Sequence, residues 1–116
     1  MRVEIVELAA ADGAVVCPRC AIADTIWTRN RGLLGRARLE PGEGLLIRPA
    51  NSIHTAFMRF PIDVVFLDRD LAVLKVVPEL RPWRAAAARR ARSVLELPAG
   101  GAGRAGLEPG RRLVVR

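Results

Sequence analysis

The segment at residues 63–77 reads DVVFLDRDLAVLKVV and contains the clearest β-hairpin signal in the chain. Asp63–Leu67 is an almost unbroken apolar run, which is typical of a strand that is buried on both faces. Asp68-Arg69-Asp70 supplies a polar turn, and Ala72–Val77 returns as the partner strand. We therefore predict an antiparallel hairpin whose first strand lies inside the core.

Shorter strands are predicted on both sides of this hairpin, where apolar stretches end at turn signals such as Asp12-Gly13. These strands are Met1–Leu8, Ala14–Cys17, Gly44–Arg48, Ser93–Leu97 and Arg112–Val115. Ser52–Met58 has mixed character and is predicted as either a strand or an extended loop. Pro78–Arg92 is predicted as a long exposed loop or a marginal helix, because its alanine and arginine run has no apolar stripe.

One principal helix is predicted over about residues 24–34. Asp24 can cap its N-terminus, and Gly35 can end it in the left-handed backbone conformation. One face of this helix carries Ile26, Trp27, Asn30, Leu33 and Leu34. With the predicted strands, this helix places the chain in the α+β class with a β-rich core.

The length of 116 residues predicts a single domain over residues 1–116, since domains commonly contain about 100–150 residues. A hydrophobic content of 51% is sufficient for a packed core. The sequence has no apolar run near the ~20 residues that span a bilayer, and its N-terminus lacks the apolar stretch of a secretory signal. We therefore expect a cytoplasmic protein that does not enter a membrane.

The formal net charge is +7, and Lys75 is the only lysine among the basic residues. Such a charge attracts nucleic acids without sequence preference. The arginines are nevertheless scattered along the chain. Their one cluster comprises Arg81, Arg84, Arg89, Arg90 and Arg92. Because no helix-turn-helix, zinc-finger or aromatic RNA-binding signature accompanies them, nucleic-acid binding is kept only as an alternative.

The two cysteines form one C-x-x-C motif, Cys17-Pro18-Arg19-Cys20. Three interpretations are open: structural thiols, a redox pair between a strand and a helix, or half of a metal site. Structural zinc needs four ligands, and His54 could supply a third, but no fourth is visible in the sequence. We expect structural thiols, with no metal and no cofactor.

Three blocks of sequence, in a fixed order, resemble a known family. The first comprises Arg31–Arg36 followed by Gly44–Ile47. The second is the segment SIHTAFMRFPIDVVFLD at residues 52–68. The third comprises Val94–Gly100 followed by Gly106–Gly110. Together they make the chain similar, over roughly residues 22–115, to the bacterial and archaeal family of domain of unknown function 192.

This resemblance implies a compact single domain with a small, mostly antiparallel, β-barrel-like sheet and one principal helix. It implies no particular activity and carries over no catalytic residues. The C-x-x-C motif lies at the edge of the resemblance and is not a feature of the family's pattern.

The densest group of polar residues beside apolar ones is the segment Asn51–Asp63. An extended Ser52–Met58 stretch places His54 and Met58 on the same face. His54 is the only histidine, and imidazole is the side chain that most readily exchanges a proton near neutral pH. Paired with Asp63 or Glu96, it can serve as a general base. The alternative is a purely structural histidine.

Two carboxylates need an explanation. Asp63 directly precedes the apolar strand, where it can accept backbone N–H bonds or pair with Arg59. Glu96 interrupts the apolar run Val94–Leu97. On an edge strand it is solvated, but on a central strand it needs a partner, because a buried unpaired carboxylate is costly. The candidate partners are Arg31, Arg48 and Arg59, and a role in a site is the remaining alternative.

Arg81-Pro82-Trp83-Arg84 places a tryptophan between two arginines, where it can stack on a ligand or partner or simply cover the mouth of the barrel. The candidate ligand-binding residues are therefore His54, Met58, Arg59, Asp63, Glu96 and Trp83.

The leading hypothesis is a binding or accessory domain with a shallow pocket near His54, which takes an unidentified small molecule or protein. Pro78–Arg92 then serves as a mobile flap. The first alternative is a small enzyme that uses His54 with Asp63 or Glu96 as acid and base. The second is a non-specific nucleic-acid binder that uses the scattered arginines.

Overall fold

The computed structural model describes residues 3–116, apart from the side chain of Ile26. The strands are β1 (Ile5–Ala10), β2 (Val15–Ala23), β3 (Glu43–Ile47), β4 (Ser52–His54), β5 (Ile62–Leu67), β6 (Val73–Leu80), β7 (Ala85–Ala87), β8 (Ser93–Pro98) and β9 (Leu113–Val115). The helices are α1 (Ile26–Arg31) and α2 (Gly101–Arg104). Neither described helix has the length and apolar character that crossing a membrane requires. A mostly β chain with short helices fits the predicted α+β class in outline.

Most strands belong to one mixed sheet of seven strands in the order β6-β5-β8-β3-β2-β1-β9. β2 and β3 are parallel, and the other neighbours are antiparallel. The predicted barrel-like closure is not confirmed, because the sheet stays open. Ala72 and Arg112, which directly precede the edge strands β6 and β9, form one isolated bridge. The three residues of β9 are too few to pair along the eight residues of β6.

The predicted hairpin is confirmed as β5 and β6. All six residues of β5 are buried, because the strand lies between β6 and β8 and has a hydrophobic cluster on each face. Val65 and Leu67 belong to one cluster, while Val64 and Phe66 belong to the other. This alternation explains why the strand sequence is continuously apolar.

The position of β8 matters most for the site. This strand lies between β3 and β5, and Glu96 is paired with Leu45 on one side and Val64 on the other. Glu96 therefore stands on a central strand, on the same face as Val94. That face carries the second hydrophobic cluster.

Helix α1 is shorter than the predicted helix over residues 24–34. Thr25, rather than Asp24, is the N-cap: its Oγ1 accepts a hydrogen bond from Thr28 N at 3.1 Å, and Thr28 Oγ1 accepts one from Thr25 N at 3.0 Å. Gly32 ends the helix with a φ of 48°. Trp27, which the sequence places on the same helical face as Leu33, is 74% exposed and is not part of the core.

The prediction of Pro78–Arg92 as a loop or marginal helix is wrong in part: residues 81–84 and 88–92 are loop, but the rest of the segment forms strands. β6 continues to Leu80, and its proline is tolerated because β6 is an edge strand. Ala85–Ala87 forms β7, which pairs with β4 in a second sheet of two strands. The available edge of β4 thus outweighs the helix propensity of the alanines. The predicted flap is tied to β4 by this pairing.

Candidate functional site

A cavity of about 390 Å³ opens on the face of the sheet that carries Glu96. One wall is formed by the last turn of α1 and the turn that follows it, at residues 29–34. The opposite side is formed by the end of β3, the connection to β4 and β4 itself. Met58 and Glu96 complete the lining. The volume lies within the range of about 300–1,000 Å³ that is typical of small-molecule sites.

Glu96 is a buried polar residue of this cavity. Only 3% of the residue is exposed, and among the described residues its Oε1 has no hydrogen-bond partner. Burial raises the pKa of the Glu96 carboxyl to about 7, because the charged form loses its hydration. Such a group can take up or release a proton near neutral pH.

The predicted ion pair of Glu96 with Arg31, Arg48 or Arg59 is wrong. Among the residues that the structure describes, no ion pair includes Glu96. Burial is the cause of its raised pKa. The neighbours of Glu96 across the sheet, Leu45 and Val64, are aliphatic and cannot supply a partner.

His54 and Met58 line the same cavity as Glu96. His54 is exposed at the end of β4, where the pairing with Ala85 fixes its backbone. Met58 is buried and packs in the second hydrophobic cluster, on the face of the sheet that carries Glu96. The structure therefore brings three of the six candidate residues to one cavity. Within residues 3–116, no hydrogen bond joins the imidazole of His54 to a carboxylate.

Asp63 has a different environment, although it is also buried. Its Oδ1 accepts hydrogen bonds from Glu79 N at 2.9 Å and Gly100 N at 3.1 Å, and its Oδ2 accepts one from Ala102 N at 2.9 Å. The predicted role as an acceptor of backbone N–H groups is therefore observed. The donors come from the end of β6 and from the start of α2. Asp63 lies outside the lining of the cavity.

Arg59 and Trp83 also lie outside the lining of the cavity, and both are exposed. The Trp83 ring packs on the exposed Phe57 ring with centroids 4.6 Å apart. Thr55 holds this region together: its Oγ1 donates to Arg81 O at 2.6 Å and accepts from Arg84 N at 2.8 Å. Neither Phe57 nor Thr55 was a sequence-based candidate.

Two arginines that line the cavity, Arg29 and Arg31, were not among the candidate ligand-binding residues. Arg31 was considered only as an ion-pair partner of Glu96. Arg29 Nη1 donates a hydrogen bond to Pro49 O at 2.9 Å, while its Nε is buried without a partner. Arg31 lines the cavity from the same turn of α1. One signal was available in the sequence, because Arg31–Arg36 opens the first block of the family resemblance and four of those residues line the cavity.

The C-x-x-C motif lies inside β2 rather than between a strand and a helix. Cys17 and Cys20 are free thiols, and both are fully buried. In the pairing of β1 with β2, Val6 lies opposite Cys20 and Leu8 lies opposite Cys17. Between these two pairs, β2 therefore has one residue more than β1. This bulge lets both thiols enter the same hydrophobic cluster. Among the described residues, no group of three potential ligands surrounds a metal position.

We expect both thiols to be unreactive in the folded protein, because neither sulfur is accessible. The neighbouring Cys17 thiol, together with burial, raises the pKa of the Cys20 thiol, so its thiolate is scarce. Cys20 in turn lowers the pKa of the Cys17 thiol, so the inaccessibility of its sulfur keeps Cys17 unreactive. Ellman's reagent should therefore detect no thiol in the native protein and two after unfolding in guanidinium chloride. Rapid reaction of the native protein would favour the redox interpretation instead.

The fold and the cavity define a small α+β protein built on an open, mixed sheet. The chain belongs to the DUF192 family, which carries the description "Uncharacterized ACR, COG1430"; the match to the family covers residues 7–115. The resemblance noted in the sequence is thereby confirmed over nearly the whole chain.

Two solved structures are similar to this chain. One is a protein of unknown function from Novosphingobium aromaticivorans DSM 12444, with 24% identity and a TM-score of 0.80 over 97% of this chain and 84% of that one. The other is described as a putative transcription regulator from Sinorhizobium meliloti 1021, with 26% identity and a TM-score of 0.84 over 98% of this chain and 94% of that one. The first likeness concerns the fold alone. The comparison with curated proteins gives no match.

Proposed function

We propose that this protein binds a small molecule in the cavity that Glu96 lines. The observation that supports this function is the buried carboxyl of Glu96, whose Oε1 has no partner. A buried polar atom without a hydrogen bond costs roughly 1–3 kcal/mol, and more when it is charged. A ligand that donates a hydrogen bond to the Glu96 carboxyl would supply a partner for it, so an unpaired carboxyl that lines a cavity supports a binding role.

The rest of the lining suits a ligand site. Leu33, Ile47 and Met58 give the cavity apolar walls, and polar side chains such as His54 stand at its edge. Ligand pockets commonly have mostly apolar walls, whereas the lining of this cavity exposes more polar than apolar surface. This lining therefore favours a polar ligand. His54 and Met58 are thus proposed as contacts, with Glu96 as the buried anchor. Arg59, Asp63 and Trp83 are not part of this proposed site.

Native mass spectrometry of freshly purified protein, followed by a thermal-shift screen of charged and neutral metabolites, tests this function. We expect a bound or stabilising compound whose binding is weakened at least tenfold by Glu96→Gln. Asp70→Asn is the matched control, because Asp70 is an exposed turn residue and the change likewise replaces a carboxylate by an amide. The proposal is wrong if no compound binds, or if every compound that binds does so equally well to the Glu96→Gln variant.

Acid–base catalysis is a second candidate, because His54 and Glu96 line one cavity and the pKa of Glu96 is about 7. A general acid or base works best when its pKa is close to the operating pH. Binding ranks first because the two side chains are not hydrogen-bonded to each other. If the bound compound is converted by the wild-type protein, and both Glu96→Gln and His54→Gln abolish the conversion, catalysis is the better description.

A further inference from the structure

Two buried polar atoms of opposite character belong to residues that line the same cavity. Glu96 Oε1 is an acceptor and Arg29 Nε is a donor, and neither has a hydrogen-bond partner within the part of the chain that the structure describes. The Arg29 side chain is held in place by the bond from its Nη1 to Pro49 O at 2.9 Å. A ligand with a donor group at one end and an acceptor group at the other can satisfy both residues.

The charged residues that line the cavity also place negative and positive charge in different parts of it. Among the described residues, Glu96 is the only acidic side chain in the lining, and it is almost wholly buried. Arg29 and Arg31 lie in the last turn of α1, and the Arg31 side chain is exposed. The cavity therefore has a buried acidic position and a more exposed basic wall.

We propose that the ligand is a compact zwitterion, whose ammonium or amidinium group contacts Glu96 and whose carboxylate or phosphate contacts Arg29 and Arg31. This inference rests on the proposed binding function and specifies its ligand class. A cavity of about 390 Å³ corresponds to roughly a dozen waters at about 30 Å³ each. It therefore has room for a molecule of the size of an amino acid or a small amino phosphate.

Ligands with a single charge fit this arrangement less well. A simple anion pairs with the arginines but leaves Glu96 unsatisfied, and a simple cation pairs with Glu96 while the arginines repel it. The strongest competitor is a dicarboxylate, which could accept a hydrogen bond from a protonated Glu96. The two ligand classes differ in their dependence on pH, because an ammonium group needs the ionised form of Glu96 and a dicarboxylate needs the protonated form.

Isothermal titration calorimetry with probes of matched length tests the inference. The zwitterions are the ω-amino acids from glycine to 6-aminohexanoate, together with O-phosphoethanolamine. For each chain length, the fatty acid, the alkylamine and the dicarboxylate are the matched controls. We expect at least one zwitterion to bind at least tenfold more tightly than each control of the same length, because one charged hydrogen bond is worth that much or more.

The variants locate the two ends of the ligand. Glu96→Gln and Arg31→Gln should each weaken zwitterion binding at least tenfold, and Arg29→Gln should do the same if its melting curve shows a folded protein. Arg69→Gln is the control for a lost positive charge, since Arg69 lies in the exposed β5–β6 turn.

Affinity should rise between pH 6 and pH 8 as Glu96 ionises. His54 also lines the cavity, so the titration is repeated with His54→Gln, and the rise should persist.

The remaining outcomes separate this inference from the proposed function. Tighter binding of a dicarboxylate, with affinity that falls as pH rises, would overturn the zwitterion and leave the binding function intact. Equal binding of an alkylamine and a zwitterion would also overturn it. If no zwitterion binds but another compound binds in a Glu96-dependent manner, only the ligand class is wrong. If no compound binds at all, both proposals fail.

Discussion

Replacing Asp63 by alanine is expected to lower the free energy of unfolding by about 3–5 kcal/mol. The Asp63 side chain is only 1% exposed, and its two oxygens accept three backbone N–H groups. These donors, on Glu79, Gly100 and Ala102, belong to two different parts of the chain. Removing the carboxyl leaves them without partners in a region that water reaches poorly, which costs more than the loss of an exposed hydrogen bond.

Urea denaturation of the two proteins measures this effect. Asp63→Asn should be intermediate, because its amide keeps one acceptor oxygen but places an NH₂ group against a backbone donor. Asp70→Asn provides the control at an exposed turn position and should stay within about 0.5 kcal/mol of the wild type. An Asp63→Ala variant as stable as the wild type would show that these three hydrogen bonds do not anchor the start of α2.

The second large effect is a pH dependence of stability that arises from Glu96. Burial raises the pKa of Glu96 in the folded protein from the usual 4.5 to about 7. Between these values the folded chain holds a proton that the unfolded chain has released, so stability falls as the pH rises from about 4.5 to about 7. The gap corresponds to about 3 kcal/mol, since each pKa unit is worth about 1.4 kcal/mol.

Glu96→Gln removes this dependence because an amide does not titrate. Urea unfolding of the wild type and the variant at pH 4.5 and pH 8 should show the variant gaining about 3 kcal/mol relative to the wild type across that range. Glu108→Gln makes the same chemical change at an exposed position and should follow the wild type. A constant difference between the Glu96→Gln variant and the wild type at both pH values would mean that Glu96 is not desolvated.

The hairpin of β5 and β6 was predictable because its signal is local. A continuous apolar strand, a polar turn and a returning strand are all visible in adjacent residues. The central position of Glu96 was predictable only as an alternative, since the order of strands in a sheet is set by contacts between distant parts of the chain. The sequence showed that a central Glu96 needs a partner, but it could not show that Arg31, Arg48 and Arg59 would all fail to pair with it.

Other wrong predictions also arose because contacts between distant parts of the chain decided the structure. Ala85–Ala87 has the composition of a helix and forms β7 because β4 offers it an edge, which no local propensity reveals. The sequence places Trp27 and Leu33 on one helical face, yet Gly32 ends α1 before Leu33. Trp27 is left exposed while Leu33 reaches the core. The barrel-like sheet was expected only from the family resemblance. A closed barrel would need β6 to pair with β9, and β6 and β9 are instead the two edges of the sheet.

Asp63 and Glu96 show why burial alone does not identify a site. Both carboxyls lie in or beside the central strands, and both are at most 3% exposed. Asp63 is saturated by backbone donors, so it stabilises the fold and has little left to offer a ligand. Glu96 has an unpartnered oxygen and borders a cavity, so it keeps the capacity to bind.

An NMR titration of the Glu96 side-chain carboxyl carbon, in protein labelled with ¹³C at glutamate, tests most directly whether this group is buried without a partner. The structure predicts a titration midpoint near pH 7, because burial raises the pKa of Glu96 to about 7. Added zwitterionic ligand should move that midpoint downward, because a cation favours the ionised carboxylate. A midpoint near 4.5 in the free protein would contradict the structure, since it would mean that Glu96 is already hydrated or paired.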